Sequence, residues 1–332
     1  MKVDVSIIIV NYKSSKLVID CVNSIFEKTK KLSYEIIVVD NASNDDSIDN
    51  LKKEFGDEIK LIQSEENLGF GKANNLGVKS SCGKYIFMLN PDTILINNAI
   101  YILMNILERN KDIGSVGGNL YTIEMEPCPS YCRKFDDLNT ERMYSSWMYI
   151  LFNKVVQKIN SKRKNNNRAL KNNFNYSGKS LEVAYIFGAD MMMRKSLFEQ
   201  IGGFDPIYFM YAEEQDLSWR ITNKGKKNIS IPEAKIIHLE GGTFKEINKF
   251  SDSQFKMRMN GIMIYFNKRF GIDGVDKFYK YRTRRYNRLI KFAKLRGKNV
   301  SDLVLNKQLN LLRETYFEYI KNYDKEIGYG RS

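Results

Sequence analysis

The sequence predicts an α/β fold built on a mostly parallel sheet, followed by a basic helical region. Short β-branched runs such as "VSIIIV" and "YEIIVVD" alternate with helical patterns through the first half of the chain. The runs are continuously apolar, as strands buried on both faces are. Between Lys277 and Lys298, "KFYKYRTRRYNRLIKFAKLRGK" holds ten basic residues and no acidic one.

"VSIIIV" is the first strand. Ser14 and Ser15 can cap a helix in which Leu17, Val18, Cys21, Val22, Ile25 and Phe26 form one apolar stripe. "YEIIVVD" is the second strand and "DDSIDNLKKEF" a polar helix. "IKLIQ" is the third strand, and "GFGKANNLGVKSS" a loop entering a third helix. "KYIFML" is the fourth strand, Asn97 to Arg109 an amphipathic helix, and "IGSVGGNLY" a fifth strand. This alternation implies βαβ units. From Asn153 to Lys179 the chain is basic and Asn-rich, as expected of a mobile loop or a poorly ordered helical insertion. Order returns at "LEVAYIFGAD", and from about Phe244 the chain reads as basic, aromatic-containing helices.

A chain of 332 residues can form one large domain or two smaller ones. A hydrophobic fraction of 43% and a charged fraction of 28% are those of a soluble globular protein. The net charge of +14 favours a polyanionic partner or an anionic membrane face. No apolar run approaches the roughly 20 residues of a membrane span. "MKVDVSIIIVNY" has too short an apolar run for a secretory signal. Cys21, Cys82, Cys128 and Cys132, with the lone His238, are too dispersed for a structural zinc. Reduced thiols in the cytosol are the expectation.

In open α/β sheets, ligands bind beyond the carboxyl ends of the strands. The residues there are Asn11-Tyr12, Asp40-Asn41, Glu65-Glu66-Asn67 and Asn90-Pro91-Asp92. In "YIFMLNPDTILI", Pro91 stops the ladder and delivers Asp92 to the sheet's mouth. A carboxylate there can hold Mg²⁺ or Mn²⁺, or it can form an Asx turn into the next element. Asp40 can accept from a base or a ribose hydroxyl, or cap the following turn. "NLGFGKANN" contains G-x-G but neither a Walker A nor a dinucleotide-binding pattern. Its glycines would let backbone approach a ligand, with Lys72 near a phosphate. "FMYAEEQDLSWR" packs Glu213, Glu214 and Asp216 beside apolar residues. Crowding there raises carboxyl pKa values, which suits a general base, and acidic residues also favour a helix N-terminus. His238, in "IIHLEGGT", reads as structural or as a ligand of Mn²⁺ or a diphosphate oxygen.

Taken together and in order, "VSIIIVNYKSSKLVIDCVNSI", "EIIVVDNASNDDS", "NLGFGKANNLGV", "YIFMLNPDT", "FGADMMMRKSLFEQIGGFDPIYFMYAEEQDLSWR" and "IIHLEGGT" carry a resemblance. The chain resembles bacterial family 2 glycosyltransferases, especially the rhamnosyltransferase-like branch, over roughly Val3 to Thr243. The resemblance implies a GT-A fold, Rossmann-like, in which Val10, Asn11, Tyr12 and Asp40 hold the base and ribose of a sugar nucleotide. Asn67, Gly69, Phe70, Gly71 and Asn74 would line the nucleotide pocket. Asp92 matches the last residue of the family's D-x-D metal motif, whose first position here is Asn90. His238 matches a histidine near metal and diphosphate. Glu213, Glu214, Gln215 and Asp216 match E-D-x-D, with Glu214 at the catalytic position and Glu213 its rival. Phe187, Gly188, Ala189 and Asp190 match the acceptor-facing strand, and Asp216 and Trp219 fall on the acceptor side.

The implied domains are a GT-A region over 1–243 and a basic helical extension over 244–332. The first divides into a nucleotide half to about 120 and an acceptor half from about 121, with the insertion at about 153–179. The implied reaction is inverting transfer of a sugar, rhamnose first, from a dTDP- or UDP-linked donor to a hydroxyl of a cell-surface glycan. The implied acceptor is polyprenyl-diphosphate-linked, which with the basic tail suggests a cytoplasmic protein peripheral on the inner membrane face. Wall polymer, capsule and O-antigen are all candidate products. A sugar nucleotidyltransferase should carry a Gly-rich basic loop after its first strand, where this chain has "VNYKSS". A dehydrogenase should carry G-x-G-x-x-G. A nucleic-acid-binding protein would use the charge and aromatics but not the ordered carboxylates, so no specific nucleic acid is expected.

Overall fold

The computed structural model describes residues 3–153, 173–239, 251–297 and 299–326. Most of the expected insertion (154–172) and the glycine pair after His238 lie outside the described residues. The chain forms two compact units, one from Met1–Phe135 and Arg168–Lys245, the other from Asp136–Asn167 and Glu246–Ser332.

The first unit begins with the predicted alternation: β1 (Val5–Asn11), α1 (Ser15–Lys28), β2 (Tyr34–Asp40), α2 (Ser47–Phe55), β3 (Lys60–Gln63), α3 (Gly69–Lys79) and β4 (Tyr85–Leu89). These strands lie in the order β3-β2-β1-β4, all parallel. Strand side chains alternate between faces. Val5, Ile7 and Ile9 of β1 therefore join one core with Val22 and Ile25 of α1 and Leu51 of α2, while Ile8 joins the other with Ala73 and Val78 of α3. Each such aliphatic side chain contributes about 1.5–3 kcal/mol on burial. Two buried faces account for the unbroken apolar run in the sequence.

β5 (Thr93–Leu95), α4 (Ala99–Arg109) and β6 (Ile113–Tyr121) come next, then β7 (Tyr131–Cys132). After α5 (Leu138–Tyr144), which belongs to the second unit, come β8 (Leu181–Val183), β9 (Tyr185–Ile186) and β10 (Asp190–Arg194). α6 (Lys195–Gln200), α7 (Glu213–Asn223) and β11 (Lys227–His238) complete this unit. The sheet continues β4-β10-β6-β11-β5, with β8 also on β11. Beyond β4 it is mixed: β10 runs antiparallel to β4 and β6, and β11 parallel to β6 but antiparallel to β5 and β8. A parallel neighbour of β4 would need a crossover packed on the sheet. β10 instead enters at the carboxyl end of β4, with Asp190 opposite Leu89, and runs back. That entry carries Gly188, Ala189 and Asp190 to the sheet's mouth. The chain leaves β1 toward β2 on one side while β4 lies on the other, so the switch point falls between the ends of β1 and β4.

The second unit is helical. α8 (Asp252–Lys294) starts with a capping box, in which Ser251 Oγ accepts from Gln254 N at 3.2 Å and the Gln254 side chain accepts from Ser251 N at 3.0 Å. It breaks at Gly271, whose φ of 66° lies in the left-handed region. α8 packs against α9 (Asn299–Glu326), where the Tyr279 and Tyr316 rings stack with centroids 3.8 Å apart. It also packs against α5, where Arg282 donates to both oxygens of the buried Glu141, each at 2.6 Å. Among the described residues, no helix is long and apolar enough to cross a membrane.

Candidate active site

At the switch point, Asn11 Nδ2 donates to Asp40 Oδ1 at 2.7 Å and to Ser43 Oγ at 3.1 Å. Ser43 N also donates to Asp40 Oδ2 at 3.2 Å, and Asn11 Oδ1 accepts from Ser14 N and Oγ. For Asp40 the sequence left open a ligand acceptor and a cap of the following turn, and the resemblance implied the former. It is only 1% exposed, and its carboxylate orders the turn after β2, which is the capping alternative. The physical reason is Ser43, which supplies two donors three residues on. Val10 is half-buried and Tyr12 is exposed, so the open side of this end is the Tyr12 ring.

The glycine loop is held from two sides. Asn41 Oδ1 accepts from Leu68 N at 2.8 Å, Asn41 Nδ2 donates to Asn67 Oδ1 at 3.0 Å, and Asn67 Oδ1 accepts from Gly69 N at 2.9 Å. Phe70 N donates to Phe209 O at 3.0 Å. Gly69 has φ of 75°, and a Cβ there would lie 1.9 Å from Phe209 O, so no other residue fits. Asn74 is buried and donates to Phe70 O at 3.0 Å, bracing the loop from inside α3. Sequence reasoning assigned no role to Ser43. The signal available was the "DNAS" tetrapeptide after β2, with polar residues at Asx-turn spacing.

The carboxylate after Pro91 and the imidazole come together. His238 Nε2 lies 3.2 Å from Asp92 Oδ2, with both side chains mostly buried. The short strand β5 does this. It pairs antiparallel with β11 in a register that sets His238 opposite Thr93, the residue after Asp92, and Leu239 N donates to Asp92 O at 2.8 Å. The apolar residues that resume after Asp92 are that strand. Among the described residues no group of three or more His, Cys, Asp or Glu is placed to hold a metal. One carboxylate oxygen and one imidazole nitrogen are the donor types that would suit a divalent ion such as Mn²⁺ bound together with a diphosphate.

The strand-end, glycine-loop and acidic segments lie close to one another. Asn90 N donates to Ala189 O at 2.9 Å. A Cβ on Gly188 would lie 3.0 Å from the Phe70 ring, and one on Gly71 would lie 3.8 Å from Glu213 Cβ. Asp190 is fully buried; its Oδ2 accepts from Gly118 N at 2.5 Å and its Oδ1 has no hydrogen-bond partner among the described residues. Burial pushes this carboxyl well above the usual range, against the lowering effect of Gly118. Glu213 opens α7 after Ala212, a left-handed residue with φ of 71°. It is buried, its Oε2 has no hydrogen-bond partner among the described residues, and burial followed by the Glu214 charge raises its carboxyl well above the usual range. Glu214 is half-buried. Asp216, fully buried one turn along, accepts from Arg220 Nε at 2.8 Å, while Trp219 is partly exposed on the same helix.

The Glycosyl transferase family 2 model matches residues 6–202. The chain belongs to that family. An N-acetylglucosaminyl-diphospho-decaprenol L-rhamnosyltransferase of Mycobacterium tuberculosis is 39% identical to this family 2 chain over 56 residues, 17% of this chain and 18% of its own length. A poly(ribitol-phosphate) beta-glucosyltransferase of Bacillus spizizenii is 30% identical over 117 residues, 34% of this chain and 18% of its own length. This family 2 chain thus aligns with under a fifth of either relative. A mannosyltransferase from Pyrobaculum calidifontis, solved with GDP-Man and Mn²⁺, superposes with a TM-score of 0.55 at 14% identity, covering 96% of this chain and 88% of that one. The family 2 chain has the GT-A fold, with its curled, mixed sheet.

Proposed function

We propose that the protein transfers a sugar, with inversion, from a nucleoside-diphosphate donor to a hydroxyl of a cell-surface glycan. The observation that supports this reading is the Asp92–His238 pair, 3.2 Å apart at the switch-point mouth. The ordered loop of Gly69, Phe70 and Gly71 with Asn67 and Asn74 would hold the nucleotide, beside Val10, Asn11, Tyr12 and the turn that Asp40 braces. Asp92 and His238, near Asn90, would hold Mg²⁺ or Mn²⁺. When bound, that ion would offset the charge gathering on the departing diphosphate.

Glu214 is the general base in this proposal. The environments of the two glutamates differ: Glu213 is buried, with its carboxyl raised by burial and then by the Glu214 charge, while Glu214 has the partial exposure an incoming hydroxyl needs. Glu214 takes the acceptor's proton as the acceptor oxygen bonds to the anomeric carbon. The bond from that carbon to the diphosphate breaks on the opposite face, releasing nucleoside diphosphate. Gly188, Ala189 and Asp190, with Asp216 and Trp219, would shape the acceptor side.

The donor proposed first is dTDP-rhamnose, with UDP-sugars next. The short match to an L-rhamnosyltransferase supports this, as does Asn90 in the first D-x-D position. The same relative's name supports a polyprenyl-diphosphate-linked acceptor met at the inner face of the membrane. Glu214→Gln is expected to lower transfer by about 10²–10⁴-fold while donor binding persists. Turnover near the wild-type rate in that variant would remove Glu214 from the role.

A further inference from the structure

We infer that the second unit carries a docking surface for an anionic phospholipid bilayer, built from one face of α8 and the helical residues 147–153. The inference rests on the proposed membrane-linked acceptor for its biological sense, but its geometry is independent of the transfer site.

The basic run does not surround its helix evenly. Arg282 is spent on Glu141, Arg285 lies over the Tyr144 ring, and Arg288 donates to Ser145 O and lies over the Trp147 ring. The exposed basic positions of the run within α8 are Lys277, Lys280, Arg284, Lys291 and Lys294, spaced to fall on one face, with Arg296 exposed just beyond the helix end. None of the five forms an ion pair among the described residues. At a rise of 1.5 Å per residue they make a cationic stripe about 26 Å long. A groove of about 560 Å³ beside the stripe is lined by Lys280, Arg284, Arg288 and Lys291 together with Trp147, and among the described residues no acidic one lines it.

Next to the groove, Met148, Leu151 and Phe152 are 81%, 47% and 60% exposed, while Ile150 between them is buried. Their spacing is that of a single helical face, so three large apolar side chains point outward together. A solvated or nucleic-acid-facing helix has no use for such a face. A bilayer interface takes both parts, cations among phosphates and apolar side chains among the upper acyl carbons, with Trp147 between them. Within the basic run Ile290 is buried inside the unit, while Leu295, just past the last turn of α8, is 75% exposed.

The test is flotation with phosphatidylcholine vesicles, with and without phosphatidylglycerol, using the full chain. The wild type is expected to float with the phosphatidylglycerol vesicles, and brominated lipid to quench a fluorescence component that Trp147→Phe removes. The triple variant Lys280→Glu, Arg284→Glu, Lys291→Glu is expected to bind on the order of a hundredfold or more weakly. Met148→Ser with Phe152→Ser is expected to weaken binding and abolish quenching. Neither variant touches the Arg282–Glu141 pair, and unchanged helicity and donor-induced thermal shift show that each is folded. Equal flotation of wild type and triple variant overturns the inference. So does wild-type self-association that the variants dissolve without any vesicle binding, or binding to RNA alone. Donor stabilisation without flotation would defeat this inference and leave the transferase proposal standing; flotation without donor stabilisation would do the reverse.

Discussion

Asp92 and His238 lie 3.2 Å apart, and in the proposed reaction each would supply a different donor atom to one ion. Asp92→Asn or His238→Ala is expected to reduce transfer on the order of a hundredfold or more and to remove the dependence of donor binding on Mn²⁺, read by calorimetry with and without the ion. Mn²⁺-dependent donor binding surviving both changes would dissociate the pair from the ion. Asp190 and Glu213 bear on stability instead. Burial is the first cause of both raised carboxyls, so the folded state holds protons that the unfolded chain releases. Their contribution is full below the ordinary carboxylate range, about 4, and is lost as pH rises through the raised values. The melting temperature should fall as pH rises from mildly acidic to neutral. Asp190→Asn, which keeps an acceptor for the Gly118 N–H, should flatten that slope, and an unchanged slope would show that Asp190 is not its source. At this scale Asp92 and His238 were legible as residue types in suggestive places. Asp40 was ambiguous because a carboxylate at a strand end looks the same in sequence whether it faces a ligand or, as here, accepts from Ser43.

Among the elements, the parallel half was the most legible, since continuous apolar runs separated by amphipathic helices admit few other arrangements. The mixed half was less so. β5 is three residues long and β7 and β9 two each, too short for any period to register, and β5 brings His238 to Asp92. The Glu141–Arg282 pair between α5 and α8 also escaped the sequence, because an ion pair between distant positions leaves no local pattern. Removing one partner strands a buried charge, so Arg282→Ala is expected to cost about 3–5 kcal/mol in the second unit, measured by denaturant unfolding. A loss under about 1 kcal/mol would mean that water replaces the guanidinium there. Gly69→Ala is expected to abolish donor binding, because its methyl would meet Phe209 O.

The whole molecule divides its chemistry between an α/β unit carrying the candidate site and a helical unit carrying most of the unpaired positive charge described above. A nucleotide sugar that binds only the folded α/β unit should raise its melting temperature, by on the order of 5–10 °C at a hundredfold excess over Kd. A panel of dTDP- and UDP-sugars with and without Mn²⁺ should single out one donor; no shift with any of them would count against a nucleotide-sugar site. One further consequence follows from how β5 lies against β11. Side chains along a ladder switch sides at every step. Sliding β5 by a single position against β11 would turn the buried Leu95 away from its core, while His238 would keep the side that the pairing of β11 with β6 gives it. An inserted residue between Asp92 and Thr93 is therefore expected either to bulge out and lengthen the link from the carboxylate to this two-strand clasp, or to slip the strand at a cost that denaturant unfolding would register.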